Sequence, residues 1–180
     1  MLITGIGGQG VQLLAKTLAL GAMHDGRGAM MTAEATDSMR GGHSAAAVVV
    51  GEAPLRALPV VDEASFALVL HPMGWPKVEP RLARGSVVVV NELFGAASAE
   101  ASADLRFTRV AANEIASDVG SAMAAGFVLL GGFVAMTGLV SVAALVGAMT
   151  ELLPPYRQQH IDTNARALRA GADALGAVSR

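Results

Sequence analysis

An apolar segment, a glycine cluster and a helical pattern follow one another in the stretch Met1-Leu2-Ile3-Thr4-Gly5-Ile6-Gly7-Gly8-Gln9-Gly10-Val11-Gln12-Leu13-Leu14-Ala15-Lys16. This order predicts a strand, a tight turn and a helix, with bare backbone where the glycines stand. The unpaired amides and the dipole of a helix start favour negative charge, so the loop predicts a site for a phosphorylated ligand. The rival interpretation is a glycine turn that serves only the packing of strand against helix. The chain contains 21 glycines, so the loop motif can also match by chance.

Strands and helices alternate beyond this loop. Apolar residues at helical spacing predict a helix over residues 10–23, and a short apolar run predicts a strand over 29–33. A helix of that length returns the chain by a right-handed crossover, so the first two strands should be parallel and share their carboxyl edge. The polar stretch 34–44 leaves the second strand at that edge, and we therefore expect it beside the glycine loop.

The order of the remaining elements predicts the fold class. A third strand over residues 45–50 follows without an intervening helix, which predicts an antiparallel neighbour and a mixed sheet. Further strands are predicted over 66–70, 86–90 and, at an edge, 105–110, with helices over 75–84, 122–136, 142–153 and 155–175. This pattern predicts an α/β protein, a three-layer α/β/α Rossmann-like sandwich with a mixed, mostly parallel sheet. No repeat or linker divides residues 1–180, so we expect a single domain.

The composition excludes several classes of function. Without cysteine the chain has no disulfide, no thiolate nucleophile and no cysteine-ligated cluster or zinc. The four histidines lack metal-ligand spacing and no nucleophile motif is present, so we expect neither a metal site nor a catalytic residue. A net charge of −2 without basic runs gives no sign of a nucleic acid partner. The first residues lack a signal-peptide pattern, which favours the cytoplasm.

One stretch imitates a membrane span. Residues 119–150 contain no charged residue, and a span needs only about 20 apolar residues. The glycines of this stretch, a break at Thr137-Gly138 and the acidic flanks Asp118 and Glu151 favour two buried helices instead. With 53% hydrophobic residues and a mean hydropathy of +0.50, the chain is expected to cover apolar surface with partner subunits.

Two phosphorylated ligands fit the opening loop. A nicotinamide dinucleotide needs an acidic residue at the end of the second strand to hold a ribose hydroxyl, and Glu34 stands there. In the other interpretation the loop binds a phosphate or pyrophosphate through its amides, and Arg40 adds a charge-assisted contact from the facing loop. His43 lies in that facing loop and is a further candidate for a ligand contact.

The pairing of two motifs resembles a known family. The glycine loop, followed by Arg40-Gly41-Gly42-His43-Ser44 and a valine-rich strand, is similar to the gamma subunit or gamma domain of the 2-oxoacid:ferredoxin oxidoreductases that act on pyruvate, 2-oxoglutarate or ketoisovalerate. The resemblance covers nearly the whole chain. It includes the strand that ends at Asn91, the helix start Glu114-Ile115-Ala116 and the segment Asn164-Ala165-Arg166-Ala167.

The resemblance implies a place in a larger complex that oxidatively decarboxylates a 2-oxoacid to an acyl-CoA. Coenzyme A would contact this chain, whereas thiamine diphosphate, magnesium and iron-sulfur clusters would belong to alpha, beta and ferredoxin-like delta subunits, with ferredoxin as the electron acceptor. The isolated chain would be inactive, and a homodimer is an option for it in isolation. The implied coenzyme A contacts are Gly5, Ile6, Gly7, Gly8, Gln9, Gly10, Arg40, Gly41, Gly42, His43 and Ser44. The alternatives are a small NAD(P)-dependent reductase and a membrane protein with a helical hairpin.

Overall fold

A six-stranded mixed sheet forms the centre of the protein. The computed structural model describes residues 1–34, 42–52, 54–56, 60–93 and 104–176. Within them the strand order is β2-β3-β1-β4-β5-β6. The strands are β1 (Leu2–Ile6), β2 (Gly28–Glu34), β3 (His43–Gly51), β4 (Ala64–Val69), β5 (Leu82–Asn91) and β6 (Arg106–Val110).

Strand β3 is the antiparallel member of this sheet. It pairs with β1 on one side and with β2 on the other, while β1, β4, β5 and β6 are parallel neighbours. The connection from β2 to β3 is too short for a crossover helix, which is why β3 turns back. The predicted antiparallel third strand and mixed sheet are confirmed. Strands β1 and β2 run in the same direction, as predicted, but β3 separates them.

Helices cover the sheet unequally on its two faces. The major helices are α1 (Val11–His24), α2 (Trp75–Val78), α3 (Ala112–Asp118), α4 (Ala125–Thr137), α5 (Val142–Leu152) and α6 (Ile161–Gly176). Alternate strand residues such as Ile3 and Leu68 join a large apolar core with α1, α4, α5 and α6. Their neighbours Leu2 and Val69 join a smaller core on the opposite face, around Trp75. The α/β prediction is thus confirmed, with one thick and one thin helical layer.

The charge-free stretch folds into the core as two helices. Helix α4 ends at Gly138, where the backbone turns before α5 begins. Residues along α4, including Val128, Leu129 and Phe133, are fully buried in the large core. In the described residues, no helix has both the length and the apolar character that crossing a bilayer requires. The prediction of two buried helices is therefore confirmed.

Helices α4 and α6 approach each other backbone to backbone. A Cβ atom on Gly131 would overlap the carbonyl oxygen of Leu168, and one on Gly171 would overlap the carbonyl oxygen of Val128. Close approach of this kind requires residues without side chains at the crossing point. The contact fixes where α6 begins, at the edge of the sheet that carries the glycine loop.

The helix predicted over residues 75–84 is shorter than expected. The structure has a short α-helix from Trp75 to Val78 between two 3₁₀ turns, and β5 already begins at Leu82. Pro76 and Pro80 lack the amide protons that a continuous helix would use, and this limits the segment to single turns. The last helix is also shorter than predicted, because residues Pro155–His160 form a 3₁₀ segment and α6 begins only at Ile161.

Candidate functional site

The glycine loop joins β1 to α1 and exposes its backbone. Gly8 has a φ of 97° and Gly10 has a φ of 74°, conformations that favour glycine over other residues. Gly10 precedes the first turn of α1, and no side chain caps that helix. A Cβ atom built on either glycine would meet no protein atom within 4 Å. The loop therefore faces open space in which a ligand can approach the backbone.

A hydrogen bond joins this loop to Gly42, the residue before β3. The amide of Gly7 donates to the carbonyl oxygen of Gly42 over 2.9 Å. Within the loop, the amide of Ile6 donates to Oε1 of Gln9 over 2.9 Å, and the amide of Gln9 donates to the oxygen of Ile6 over 3.1 Å. The two predicted motifs are thus neighbours at Gly42. The amides of Ile6, Gly7 and Gln9 shape the loop and are already engaged.

A second set of amides has no acceptor within the described residues. These amides belong to the loop tip and to the first turn of α1, where a helix has no acceptor of its own. They lie at the start of the helix, which is the positive end of the helix dipole, and this arrangement favours an anion. The set comprises Gly8, Gly10, Val11, Gln12 and Leu13.

The facing motif is described only in part. His43 and Ser44 begin β3 opposite Ile6 and Gly5 of β1. Nε2 of His43 lies 3.0 Å from the buried hydroxyl of Thr4, so this imidazole belongs to a hydrogen-bonded pair at the sheet edge. Ser44 borders the cavity beside the loop. Arg40 and Gly41 lie outside the described residues, so the role predicted for them stays a prediction.

A cavity of about 640 Å³ opens over the glycine loop and the start of α1. Three polar side chains from the end of the chain line it: Arg157 and His160 of the 3₁₀ segment, and Asn164 of α6. Within the described residues the Arg157 guanidinium has no carboxylate partner, and its Cζ lies 5.6 Å from the centre of the Tyr156 ring. The cavity therefore combines helix-start amides with two basic side chains, a donor set suited to phosphate.

Sequence reasoning missed Arg157 and His160. Neither residue belongs to a local motif, and about 150 residues of sequence separate them from the loop that they face. The close contact of α4 with α6 places them there. Asn164 did carry a signal, because it belongs to the family-like segment at the start of the last helix.

Glu34 is engaged elsewhere. Its carboxylate accepts a hydrogen bond from Nη1 of Arg81 over 2.6 Å, and both side chains are 29% exposed. Arg81 also donates to the carbonyl oxygen of Val61 over 2.9 Å. Strand β3 further separates Glu34 from β1, whereas a dinucleotide fold places this acidic residue on the strand beside β1. The nicotinamide interpretation is not favoured by this arrangement.

Metal-ligating side chains do not cluster at the site. Across the described ranges, no three His, Asp or Glu side chains gather into a group that could hold a metal ion. The chemistry that the site offers is recognition of an anion by amides, a guanidinium and an imidazole.

Fold and cavity together define a Rossmann-like α/β protein with an open glycine loop at the carboxyl edge of a mixed sheet. Residues 1–174 match the family model described as pyruvate ferredoxin/flavodoxin oxidoreductase. The chain therefore belongs to the pyruvate ferredoxin/flavodoxin oxidoreductase family, and the resemblance found in its motifs is confirmed.

Among curated relatives, ketoisovalerate oxidoreductase subunit VorA of Methanothermobacter thermautotrophicus is 30% identical over 171 residues. The match covers 95% of this chain and 35% of that protein. The chain thus spans about a third of the length of the curated relative that it matches. The named relatives are oxidoreductase subunits.

Solved structures of related proteins have the same fold. The gamma subunit of a keto/oxoacid ferredoxin oxidoreductase from Geobacter sulfurreducens matches with a TM-score of 0.78 and 26% identity, covering 98% of this chain and 97% of that one. Pyruvate oxidoreductase subunit PORC from Thermotoga maritima matches with a TM-score of 0.77 and 22% identity, covering 96% of this chain and 93% of that one. The 2-oxoglutarate:ferredoxin oxidoreductase from Magnetococcus marinus, solved with 2-oxoglutarate, coenzyme A and succinyl-CoA, gives 0.83 and 15%, covering 98% of this chain and 30% of that one.

Proposed function

We propose that this chain is the gamma component of a 2-oxoacid:ferredoxin oxidoreductase and that it helps to bind coenzyme A in the cavity over its glycine loop. The observation that carries the proposal is the 640 Å³ cavity, which brings the open start of α1 together with Arg157 and His160. Coenzyme A carries a pyrophosphate and a 3′-phosphate, and this donor set matches such anions. The coenzyme A bound to the Magnetococcus marinus enzyme supports the choice of ligand.

Each part of the cavity has a separate task in this proposal. The amides of Gly8, Gly10 and the first turn of α1 bind phosphate oxygens, and the open space over the glycines lets them approach. Arg157 donates from the opposite wall, because its planar fork suits phosphate geometry. His160 and Asn164 add hydrogen bonds beside it. Arg40 and Gly41 contribute from the loop that Gly42 joins to the site.

The oxidative chemistry belongs to partner subunits in this proposal. The chain has no cysteine for an iron-sulfur cluster, and its cavity offers recognition and not a reactive group. We infer that thiamine diphosphate, magnesium and the clusters are carried by alpha, beta and ferredoxin-like delta partners, which pass electrons to ferredoxin. The substrate is a 2-oxoacid, with 2-oxoglutarate and branched-chain acids as first candidates. The isolated chain would then be inactive.

Calorimetric titration of the purified complex that contains this chain tests the proposal. We expect coenzyme A to bind and NADH to give no binding signal, because Glu34 is paired with Arg81 and cannot hold a ribose. Binding of NADH without binding of coenzyme A would refute the assignment.

The Arg157→Gln substitution tests the contribution of the missed cavity wall. We expect the dissociation constant for coenzyme A to rise about tenfold, because one charge-assisted contact is lost. Arg169→Gln is the matched control, since Arg169 is an exposed arginine of α6 that does not line the cavity. Equal affinities of the two variants would remove Arg157 from the site.

The Arg40→Ala substitution tests the part of the motif that lies outside the described residues. We expect a higher Michaelis constant for coenzyme A with assembly of the complex intact, since one charged contact worth about 1.5 to 3 kcal/mol is removed. An unchanged dependence of rate on coenzyme A would refute this role. Size-exclusion chromatography of the variant complex checks that assembly is preserved.

A further inference from the structure

A smaller cavity adjoins the larger one at the tip of the glycine loop. It measures about 220 Å³ and shares Gly8, Gln9, Met123 and Gly126 with its neighbour. Cavities that hold a whole drug-sized ligand measure about 300–1,000 Å³, so this one suits a single fragment of a larger molecule. Its lining among the described residues includes no charged side chain, in contrast to the wall formed by Arg157 and His160.

Asn91 gives this smaller cavity an unsatisfied polar group. The residue ends β5, lines the cavity and is only 2% exposed. Its Nδ2 donates to Oδ1 of Asn113 on α3 over 3.3 Å. Its own Oδ1 is buried and has no hydrogen-bond partner in the part of the chain that the structure describes. Buried acceptors are almost always paired in native proteins, so this oxygen calls for a donor that the described residues do not supply.

We propose that the smaller cavity is a second subsite for the same ligand, in which Asn91 Oδ1 accepts a hydrogen bond from a neutral N–H group. The absence of charge in the described lining selects a neutral group over a phosphate. The carboxyl end of β5 belongs to the sheet edge at which α/β proteins bind ligands, and this places the subsite beside the anion-binding loop.

This inference rests on the proposed function, because coenzyme A carries neutral N–H donors next to its phosphates. The exocyclic amine of the adenine ring is one source, and the amides of the pantetheine arm are the other. Both are planar groups, and the apolar side chains of Leu70 and Leu129 line the same cavity. The hydrogen-bonding chemistry at Asn91 is the same in both cases.

A purely structural role for Asn91 predicts a different outcome from a role in binding. If the side chain only ties β5 to α3, Asn91→Leu and Asn113→Leu break the same hydrogen bond and have the same effect. If Oδ1 accepts from the ligand, only Asn91→Leu removes that acceptor. The pair is therefore a matched test, with thermal melting of each variant as the check that both fold.

Calorimetry on the purified complex should compare four probes: coenzyme A, adenosine 3′,5′-bisphosphate, phosphopantetheine and pyrophosphate. We expect Asn91→Leu to raise the dissociation constant for coenzyme A about tenfold. The dissociation constant for either adenosine 3′,5′-bisphosphate or phosphopantetheine should rise equally, and the affected fragment identifies the N–H donor. Pyrophosphate binding should not change. In the wild-type complex, coenzyme A with hypoxanthine in place of adenine should bind about tenfold more weakly if the adenine amine is the donor.

Two results would overturn the inference while leaving the proposed function intact. One is equal coenzyme A affinity of the Asn91→Leu and Asn113→Leu complexes. The other is an equal loss of affinity for pyrophosphate and for coenzyme A in the Asn91→Leu complex, which would indicate that the substitution displaces the glycine loop. Failure of the wild-type complex to bind either pyrophosphate or coenzyme A would instead refute the proposed function, and the second subsite with it.

Discussion

Two pairs of glycines perform opposite tasks in this fold. Gly131 and Gly171 lie where α4 crosses α6, and an added Cβ atom on either would overlap a backbone carbonyl of the other helix. Gly8 and Gly10 lie at the start of α1 with positive φ, and an added Cβ atom would meet nothing. The first pair gives up its space to the protein. The second pair borders open space at the start of α1.

The comparison answers a question that glycine content alone leaves open. A glycine-rich chain matches the loop motif easily by chance, and in the sequence the packing interpretation competes with ligand binding. The surroundings of each glycine separate the two: packing glycines are enclosed, whereas the loop glycines border a cavity of about 640 Å³. The following substitutions test whether this separation holds in solution.

The largest effect is expected at the helix crossing. Gly171→Ala should lower the free energy of unfolding by about 3 kcal/mol, because backbone of α4 must move to admit the methyl group. Denaturant unfolding of the full chain measures this change. Stability equal to that of the wild type would show that the crossing can open without cost and would contradict the packing role.

An intermediate effect is expected at the loop. Gly8→Val should raise the dissociation constant for coenzyme A at least about tenfold, since the side chain would occupy the space through which phosphate approaches the amides. The control is Gly120→Val, because Gly120 has a φ of 100° and equally open surroundings but does not line the cavity. Equal losses of affinity in both variants would assign the effect to backbone strain alone.

The smallest effect is expected at the end of α6. In Gly176→Ala the new methyl group would meet only the Cβ atom of Ala135, at 3.9 Å, which is an ordinary contact. The free energy of unfolding should change by less than about 1 kcal/mol, with alanine helix propensity favouring a gain. A loss as large as that of Gly171→Ala would show that an added methyl group is equally costly where it overlaps no backbone, and overlap with Val128 could then not be the cause.

Local patterns in the sequence predicted most of the fold. The alternation of strands and helices, the antiparallel β3 and the end of α4 at Gly138 follow from periodicity, connection length and turn residues. The glycine loop and its neighbour at Gly42 were also predictable, because strands that share an edge bring their loops together.

The rest of the site depends on contacts between distant segments. Arg157 lines the same cavity as the loop, and the helix that follows it, α6, lies against α4 at Gly131 and Gly171. No local sequence pattern encodes that approach. Glu34 matched a dinucleotide position in its spacing, but its partner Arg81 lies 47 residues away in sequence. Asn91 became a candidate because its buried Oδ1 has no partner among the described residues, and this follows from three-dimensional packing and not from a sequence pattern.

The position of β3 also limits how this domain can be redesigned. Thr4 of β1 and Glu34 of β2 both align with Ala45 of β3, so two strand spacings, about 10 Å, separate them. Exchanging side chains would therefore not convert the protein into a nicotinamide-binding scaffold. An engineer would have to excise the β2–β3 hairpin and reconnect a parallel strand directly beside β1, which is a change of topology and not of specificity.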